Sequence, residues 1–196
     1  MKALQVIPNT LVIFTVGHST HSLDDFVELL RHYSIKRLVD VRSIPRSRHN
    51  PQFNKDTLGG FLRNRRISYR HMKELGGLRH SRADSPNMGW HNASFRGFAD
   101  YMQTQEFCEA VQKLVSLARQ KTTAIMCAEV VPFRCHRSLI GDALLVRGIA
   151  VRDIYSITSI KPHQLTAMAR VEGACITYPA LVEEIGTMHI QNLHQL

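Results

Sequence analysis

Thiol, carboxylate, imidazole and guanidinium groups are concentrated in one short stretch of this sequence. Cys127 and Glu129 end an apolar run, and Cys135, His136 and Arg137 open the helical pattern that follows a short turn. Cys127 and Glu129 are two residues apart, so in an extended strand they face the same side. A helix N-terminus leaves backbone N–H groups unpaired and carries partial positive charge. The stretch therefore predicts a reactive site that binds an anion such as phosphate, sulfate or carboxylate.

Each of these residues has a chemical role and a structural alternative. Glu129 leaves an apolar strand and needs a partner, so it is interpreted as a general acid/base or as the partner of an arginine. Cys127 is a nucleophile if nearby positive charge ionises it, and otherwise a small buried hydrophobic residue. His136 can move protons, and Arg137 can hold an oxyanion through two hydrogen bonds. Cys135 fits ligand binding and helix capping equally well.

The spacing of these residues disfavours two kinds of site. Seven residues separate Cys127 from Cys135, which is outside the usual C-x2-4-C spacing of structural zinc sites, so no metal is predicted. Six residues separate Cys127 from Arg134, so a tyrosine-phosphatase-like C-x5-R loop does not fit. The missing C-x5-R spacing argues against cysteine-based dephosphorylation and leaves other thiol chemistry open.

Strands and helices alternate along the chain, and they must position these groups. Buried-strand runs are predicted at 11–16, 36–41 and 123–129, with amphipathic helices between them. This alternation predicts an α/β fold: a single domain with a mostly parallel sheet and helices on both faces, in a Rossmann-like three-layer arrangement. The carboxyl ends of parallel strands lie along one edge of a sheet, so polar residues after each strand are expected to meet in one crevice. These residues are His18 and Ser19, Asp40 and Arg42, and Cys127 and Glu129.

The strand-end residues also have simpler alternatives. His18 and Ser19 can donate hydrogen bonds to a ligand, or Ser19 merely shapes the turn. Asp40 and Arg42 share a face of their strand and can pair with each other, which orders a site as often as it catalyses.

Capping residues and apolar spacing predict the remaining elements. Ser22 is a good N-cap for a helix with acidic residues in its first turn. The segment 78–93 has no element of its own, and a loop of that length is usually functional or disordered. The domain is expected to cover 1–178, followed by a tail at 179–196. Further helices are predicted at 54–65, 95–102, 105–120, 135–148 and 163–171, and further strands at 67–72 and 149–157.

Two other groups of residues are candidate ligand contacts. Arg46, Ser47 and Arg48 lie in a polar loop broken by prolines and are expected to contact phosphate. Trp90, in the long loop, is a candidate for stacking on a base. Aromatic residues at helical spacing, such as Phe95, are expected in the core instead.

Composition bounds the class of protein. The 196 residues are 44% hydrophobic, which is enough for one core. No apolar run approaches the roughly 20 residues of a membrane span, and the N-terminus has no signal-peptide pattern. Four widely spaced cysteines suggest reduced thiols, so a cytoplasmic protein without membrane partners is expected. No cofactor is predicted.

Positive charge is concentrated in one part of the chain. Residues 31–82 contain 14 Lys or Arg and 3 acids, a local charge of +11, whereas the whole chain carries +9. A basic face of this kind fits either an ordinary solvated surface or an anionic partner, such as a nucleotide or nucleic acid.

Several ordered sequence blocks resemble the bacterial and archaeal family DUF488, a domain of unknown function. The resemblance extends from about residue 14 to about residue 170. It implies a compact α/β fold and a cytosolic protein, and it implies no established reaction. The blocks are Gly17-His18-Ser19, Asp40-Val41-Arg42 with Pro45 and Ser47-Arg48, Asn50-Pro51-Gln52-Phe53, Leu75-Gly76-Gly77, Phe95-Arg96-Gly97, Ala99-Asp100-Tyr101-Met102, Met126-Cys127-Ala128-Glu129 and Cys135-His136-Arg137-Ser138.

Three hypotheses about function follow. The first is an enzyme acting on a nucleotide-like or nucleic-acid substrate, in which arginines hold phosphate and Glu129 with His18 or His136 performs acid/base work on a phosphoester or glycosidic bond. The second is thiol or sulfur-transfer chemistry with Cys127 as the nucleophile. The third is a non-catalytic module that binds a nucleotide or nucleic acid. The crowding of titratable groups in one predicted crevice favours catalysis.

Overall fold

A mostly parallel six-stranded sheet forms the centre of the protein, whose computed structural model describes residues 11–180. Most of the tail predicted at 179–196 lies outside the described residues. The strand order is β3-β2-β4-β1-β5-β6, with only β6 antiparallel to its neighbour. The strands are β1 (Val12–Gly17), β2 (Arg37–Asp40), β3 (Ser68–His71), β4 (Thr123–Cys127), β5 (Ala150–Ser156) and β6 (Ser159–Pro162), and a separate ribbon joins β7 (Arg170–Glu172) to β8 (Cys175–Thr177).

Helices cover both faces of the sheet, which confirms the predicted three-layer α/β fold. Leu30 and Leu62 pack with one strand face, and Leu114 packs with the other. Neighbouring residues of β4, Ile125 and Met126, belong to these two opposite cores because successive strand side chains point to opposite faces. The helices are α1 (Leu23–His32), α2 (Lys55–Asn64), α3 (Ala93–Tyr101), α4 (Gln105–Gln120) and α5 (Arg137–Leu145). Within residues 11–180, no helix is both long and apolar enough to cross a membrane.

The N-terminus of α1 forms as its sequence predicts. The Ser22 hydroxyl oxygen accepts a hydrogen bond from the backbone N–H of Asp25 at 3.1 Å. Asp24 and Asp25 lie in the first turn, where carboxylates interact favourably with the helix dipole. Phe26 and Leu30 are buried against the sheet. This helix returns the chain from the end of β1 to the start of β2.

The prediction of a helix at 163–171 is wrong. The chain leaves β6 at Pro162, continues as an irregular segment, and enters β7 at Arg170. His163 is drawn inward: its ring nitrogens lie 3.1 Å from an Asp142 oxygen and 2.9 Å from an Asp153 oxygen. These contacts with α5 and β5 outweigh a weak local helical preference, which tertiary context commonly overrides.

His163 is held between two buried carboxylates, and this arrangement gives the fold a pH dependence. Burial alone would lower its pKa, but the hydrogen bonds to Asp142 and Asp153 outweigh burial and raise the pKa of His163 to about 9. A group with a raised folded pKa stabilises the fold fully below its unfolded pKa of about 6.5, and this contribution is lost as the pH rises through about 9.

Raising the pH from about 6 to about 10 is therefore expected to remove up to about 3 kcal/mol of stability through His163. The measurement is the free energy of unfolding by urea across this pH range. The His163→Gln variant serves as the control because it cannot titrate there. Equal pH slopes for the two proteins would contradict the assignment.

Candidate functional site

The three strand ends predicted to meet are neighbours in the sheet, in the order β2-β4-β1. Their loops are joined by backbone hydrogen bonds beyond the strands. His18 N donates to Cys127 O at 3.0 Å, Ser19 N donates to Ala128 O at 2.9 Å, and Val41 N donates to Met126 O at 3.0 Å. The parallel register therefore brings residues that are far apart in the sequence to one edge.

A cavity of about 660 Å³ opens at this edge and is called here the strand-end cavity. Its volume lies within the range of roughly 300–1,000 Å³ that is typical of small-molecule sites. Nine predicted site residues line it: His18, Ser19, Arg42, Arg46, Ser47, Cys127, Glu129, Cys135 and His136. Four others do not: Asp40, Arg48, Trp90 and Arg137.

Cys127, Cys135 and His136 form a tight cluster on the cavity wall. Their sulfur and ring nitrogen atoms all lie within 4.8 Å of one another. Cys135 Sγ is 3.5 Å from His136 Nδ1. The short 3-10 helix Pro132–Arg134 turns the chain back toward the end of β4 and so closes the seven-residue gap between the two cysteines.

The ring of His136 is fixed from several sides. Its Nε2 lies 3.1 Å from the Val41 carbonyl oxygen, which can only accept, so Nε2 carries the hydrogen and donates a hydrogen bond to that oxygen. Nδ1 is therefore free of hydrogen in the neutral ring and is directed at the cysteines. A Cβ on Gly77 would come within 2.5 Å of Nδ1, and Phe98 packs edge-on at 5.0 Å. Because Gly77 has no side chain, its backbone can lie directly against the His136 ring.

The two cysteines of the cluster differ in acidity. The hydrogen bond from Cys135, followed by His136 and the charge of Arg137, lowers the pKa of Cys127 well below its ordinary value, although burial opposes this. The same hydrogen bond, together with burial, raises the pKa of Cys135. Cys127 is therefore the more acidic thiol of the pair. Both cysteines line the cavity, and Cys127 is half-buried whereas Cys135 is buried.

Glu129 lines the cavity from the loop that follows β4, because the strand ends at Cys127 and not at residue 129 as predicted. One carboxylate oxygen accepts a hydrogen bond from the backbone N–H of Val131 at 3.2 Å. Within residues 11–180 the other oxygen makes no protein hydrogen bond. Glu129 is exposed enough for this second oxygen to meet a ligand or water.

His18 is occupied by protein contacts, which alters its predicted acid/base role. Its Nε2 lies 3.1 Å from the Arg42 guanidinium, which can only donate, so Nε2 accepts and Nδ1–H donates to Ser19 O at 2.8 Å. Burial and the charge of Arg42 lower the pKa of His18. The ring also stacks on Phe53 with 4.2 Å between centroids. His18 therefore lines the cavity as a neutral side chain, and it positions Arg42.

Arg42 and Asp40 form a buried ion pair behind the cavity. The Arg42 side chain donates twice to the Asp40 carboxylate, at 2.9 and 2.6 Å, and also to Phe53 O and to the His18 ring. Four of the five guanidinium hydrogens are used in this way. One N–H remains for a ligand, so Arg42 can donate only one hydrogen bond to a bound phosphate.

Arg137 is fully buried, and its role differs from the predicted one. Its guanidinium donates to Val16 O at 2.6 Å and to Val130 O at 3.0 Å. Among the described residues, its Nε has no hydrogen-bond partner. Arg137 therefore ties the end of β1 to the loop that carries Glu129, and it does not reach the cavity.

Trp90 and Arg48 also lie away from the cavity. Trp90 packs against Phe95 at 4.7 Å and against Tyr178 at 5.6 Å between ring centroids. Its ring is therefore half-buried in the core cluster rather than presented to a base. Arg48 is exposed to solvent in the same loop as Arg46.

Sequence reasoning missed several lining residues, of which Arg134 is the most important. Arg134 is exposed and lies on the cavity, directly before Cys135. Its position between the two cysteines was the available signal. Leu78 and Asn92, from the two ends of the long loop, also line the cavity, as does Phe95. The loop without elements of its own therefore contributes to the site.

Gly17 permits the crossing of β1 by the Glu129 loop. A Cβ at this position would lie 2.0 Å from the Glu129 carbonyl oxygen, and this obstacle is backbone that cannot rotate away. The Gly17→Ala variant is expected to lose about 3 kcal/mol of unfolding free energy, near the upper end for overpacking. Urea denaturation followed by circular dichroism measures this loss.

Gly60→Ala is the matched control. Gly60 lies within α2, and a Cβ added there would have no neighbouring atom within 4 Å. Ala is favoured over Gly inside a helix, so this variant is expected to gain about 0.5–1 kcal/mol. A Gly17→Ala protein as stable as the wild type would show that the Glu129 loop can move aside.

Comparison with known proteins places this site within a described family. The profile of the family described as "Domain of unknown function DUF488" matches residues 22–144, or 123 of the 196 residues. The matched span begins at the N-cap of α1 and includes the Cys127, Cys135 and His136 cluster with Glu129. Searches of curated proteins and of solved structures found no match.

Proposed function

Because the chain belongs to the DUF488 family, a domain of unknown function, we propose its activity from the strand-end cavity itself: an enzyme that cleaves a phosphoester or glycosidic bond of an anionic, nucleotide-like substrate. The observation that carries this proposal is the meeting of Glu129 with two arginines, Arg46 and Arg134, on one cavity. A carboxylate with a free oxygen supplies acid/base chemistry. The arginines supply binding sites for an anion.

The rim of the cavity supports a substrate with both charged and flat apolar parts. Ile44 is 64% exposed and Leu78 is 69% exposed, and both line the cavity together with Phe95. Exposed apolar groups beside arginines suit a ligand that carries a phosphate and a ring. A nucleotide-like molecule has both.

The proposed roles follow from which groups are available. Glu129 is the general acid/base. Arg46, Arg134 and the remaining N–H of Arg42 hold the anionic group. His18 and Arg137 act through their neighbours: His18 orients Arg42, and Arg137 holds the Glu129 loop.

Binding is tested with a panel of nucleoside mono-, di- and triphosphates and short oligonucleotides, with products identified by mass spectrometry. Arg46→Ala and Arg134→Ala are expected to weaken binding, and Arg48→Ala is the matched control because this exposed residue lies in the same loop as Arg46 but off the cavity. Affinity that falls steeply with salt but gives no product would indicate the non-catalytic binding module instead. Equal losses from all three variants would contradict the assigned anion site.

A second candidate function is thiol or sulfur-transfer chemistry with Cys127 as the nucleophile. The observation favouring it is that Cys127 faces the cavity beside Cys135 and His136. Peptide mapping after iodoacetamide treatment and persulfide labelling tests it, with the exposed Cys175 as an internal reference. A Cys127 that reacts more slowly than Cys175 at neutral pH argues against this candidate.

A further inference from the structure

We propose that Cys127, Cys135 and His136 bind a zinc ion on the wall of the strand-end cavity. The three ligand atoms lie within 4.8 Å of one another, although the residues do not have the spacing of ordinary zinc motifs. Two thiolates and one imidazole are ligands that zinc prefers. The C-x2-4-C rule does not apply here because the short helix Pro132–Arg134 brings the cysteines together.

The distances match a tetrahedral ion. Zinc bonds of about 2.3 Å to sulfur and about 2.0 Å to nitrogen place two such ligand atoms about 3.5 Å apart. Cys135 Sγ and His136 Nδ1 are separated by 3.5 Å. The Cys127 sulfur completes a triangle whose edges are no longer than 4.8 Å, so an ion fits with small movements of the side chains.

The surroundings orient the ligands in the way that metal sites require. A metal-binding histidine usually donates its other ring N–H to an oxygen, which fixes the tautomer. His136 does this through Nε2 and the Val41 carbonyl at 3.1 Å, so that Nδ1 faces the sulfurs. The Arg137 backbone N–H lies 3.5 Å from Cys135 Sγ and can stabilise a thiolate there. These contacts hold the His136 and Cys135 ligands in place before an ion arrives.

The proposed site has three protein ligands and faces the cavity, which is the arrangement of a catalytic zinc. Among the described residues, no further His, Cys, Asp or Glu joins the cluster. The fourth position is therefore left to water or substrate. Glu129, which lines the cavity without being a ligand, matches the acid/base carboxylate that accompanies a cysteine and histidine zinc site in some hydrolytic enzymes.

This role in catalysis rests on the proposed function, whereas the zinc site itself stands on the geometry. In the hydrolytic step, Glu129 accepts one proton from the water held at the zinc. The water oxygen then forms the new bond to the electrophilic atom of the substrate. The bond to the leaving group breaks, and the proton passes from Glu129 to that group, so that substrate and one water give two products.

Metal analysis of the purified, reduced protein tests the site. Wild-type protein produced with added Zn²⁺ is expected to hold about one zinc ion per chain. Cys127→Ser, Cys135→Ser and His136→Asn are expected to lose this stoichiometric zinc. Cys108→Ser and Cys175→Ser are the matched controls, because these two cysteines lie outside the cluster and should leave the zinc content unchanged.

Cobalt binding is measured on the wild-type protein, so this second test does not depend on whether the variants fold. Co²⁺ bound to the wild type should give the visible absorption of a tetrahedral ion and a sulfur-to-cobalt charge-transfer band, and X-ray absorption should find two sulfur ligands and one imidazole nitrogen. Reduced protein that binds neither Zn²⁺ nor Co²⁺ overturns the proposal, as does zinc content that the cluster variants retain.

The metal measurements need no substrate, so the zinc site and the proposed enzymatic function are tested separately. Zinc held by the cluster with no product from any substrate supports the site and ends the proposed enzymatic function. Turnover by protein that never binds zinc overturns the site and leaves the proposed function in place.

Discussion

The Glu129→Gln variant is expected to lower kcat by about a hundred- to ten-thousand-fold while substrate affinity changes little. Glutamine has the same shape, and its amide oxygen can still accept the hydrogen bond from Val131 N–H. It cannot accept a proton from water or return one to a leaving group. The measurements are turnover by mass spectrometry and affinity by calorimetry on the same substrate.

Glu28→Gln is the control for this variant. Glu28 is an exposed carboxylate on α1, away from the cavity, and its replacement removes the same charge. The Glu129 variant should also retain zinc, because Glu129 is not among the proposed ligands. Equal activity of the Glu129→Gln protein and the wild type would remove Glu129 from the mechanism.

The fold could be predicted because the spacing of apolar residues and the periodicity of the backbone can be read locally along the chain. The helix predicted at 105–120 is α4 (Gln105–Gln120), and the first strand, predicted at 11–16, is β1 (Val12–Gly17). Strands that alternate with helices leave a parallel sheet as the simple solution. A parallel sheet then places His18, Arg42 and Cys127 at one edge, so the location of the cavity followed from the topology.

The direction of each buried polar side chain could not be predicted in the same way. Arg137 was expected to hold a ligand, but it donates to carbonyl oxygens of β1 and of the Glu129 loop. Those acceptors become neighbours only in the folded sheet. His18 is similar, because its partner Arg42 comes from a different strand end. Sequence identifies which groups reach the edge, and tertiary contacts decide which of them remain free.

The C-x2-4-C spacing rule did not predict the contact between Cys127 and Cys135, for a related reason. This rule describes ligands that a single tight turn joins, whereas Cys127 ends a strand and Cys135 precedes a helix. The intervening chain closes the distance through the short 3-10 helix Pro132–Arg134, which contacts β1 and α5. The same cause explains the failed helix at 163–171, where contacts with Asp142 and Asp153 replace local preference.

The Asp40→Asn variant is expected to lose about 3–5 kcal/mol of unfolding free energy, because it leaves the Arg42 charge buried without its counter-ion. Asp40 is fully buried and Arg42 is 7% exposed, with 2.6 Å between Nη2 and Oδ2. The same carboxylate accepts a hydrogen bond from the Tyr69 hydroxyl at 2.7 Å. Urea denaturation at neutral pH measures the loss.

Asp84→Asn is the control, because Arg82 and Asp84 form a comparable pair, 2.7 Å apart, on the exposed surface. Water and salt screen such a pair, so its loss should leave the denaturation midpoint unchanged. The Asp40 variant should also lose catalysis, because Arg42 holds the His18 ring that forms one wall of the cavity. If both variants unfolded at the wild-type midpoint, the Asp40–Arg42 pair would not be what stabilises this side of the cavity.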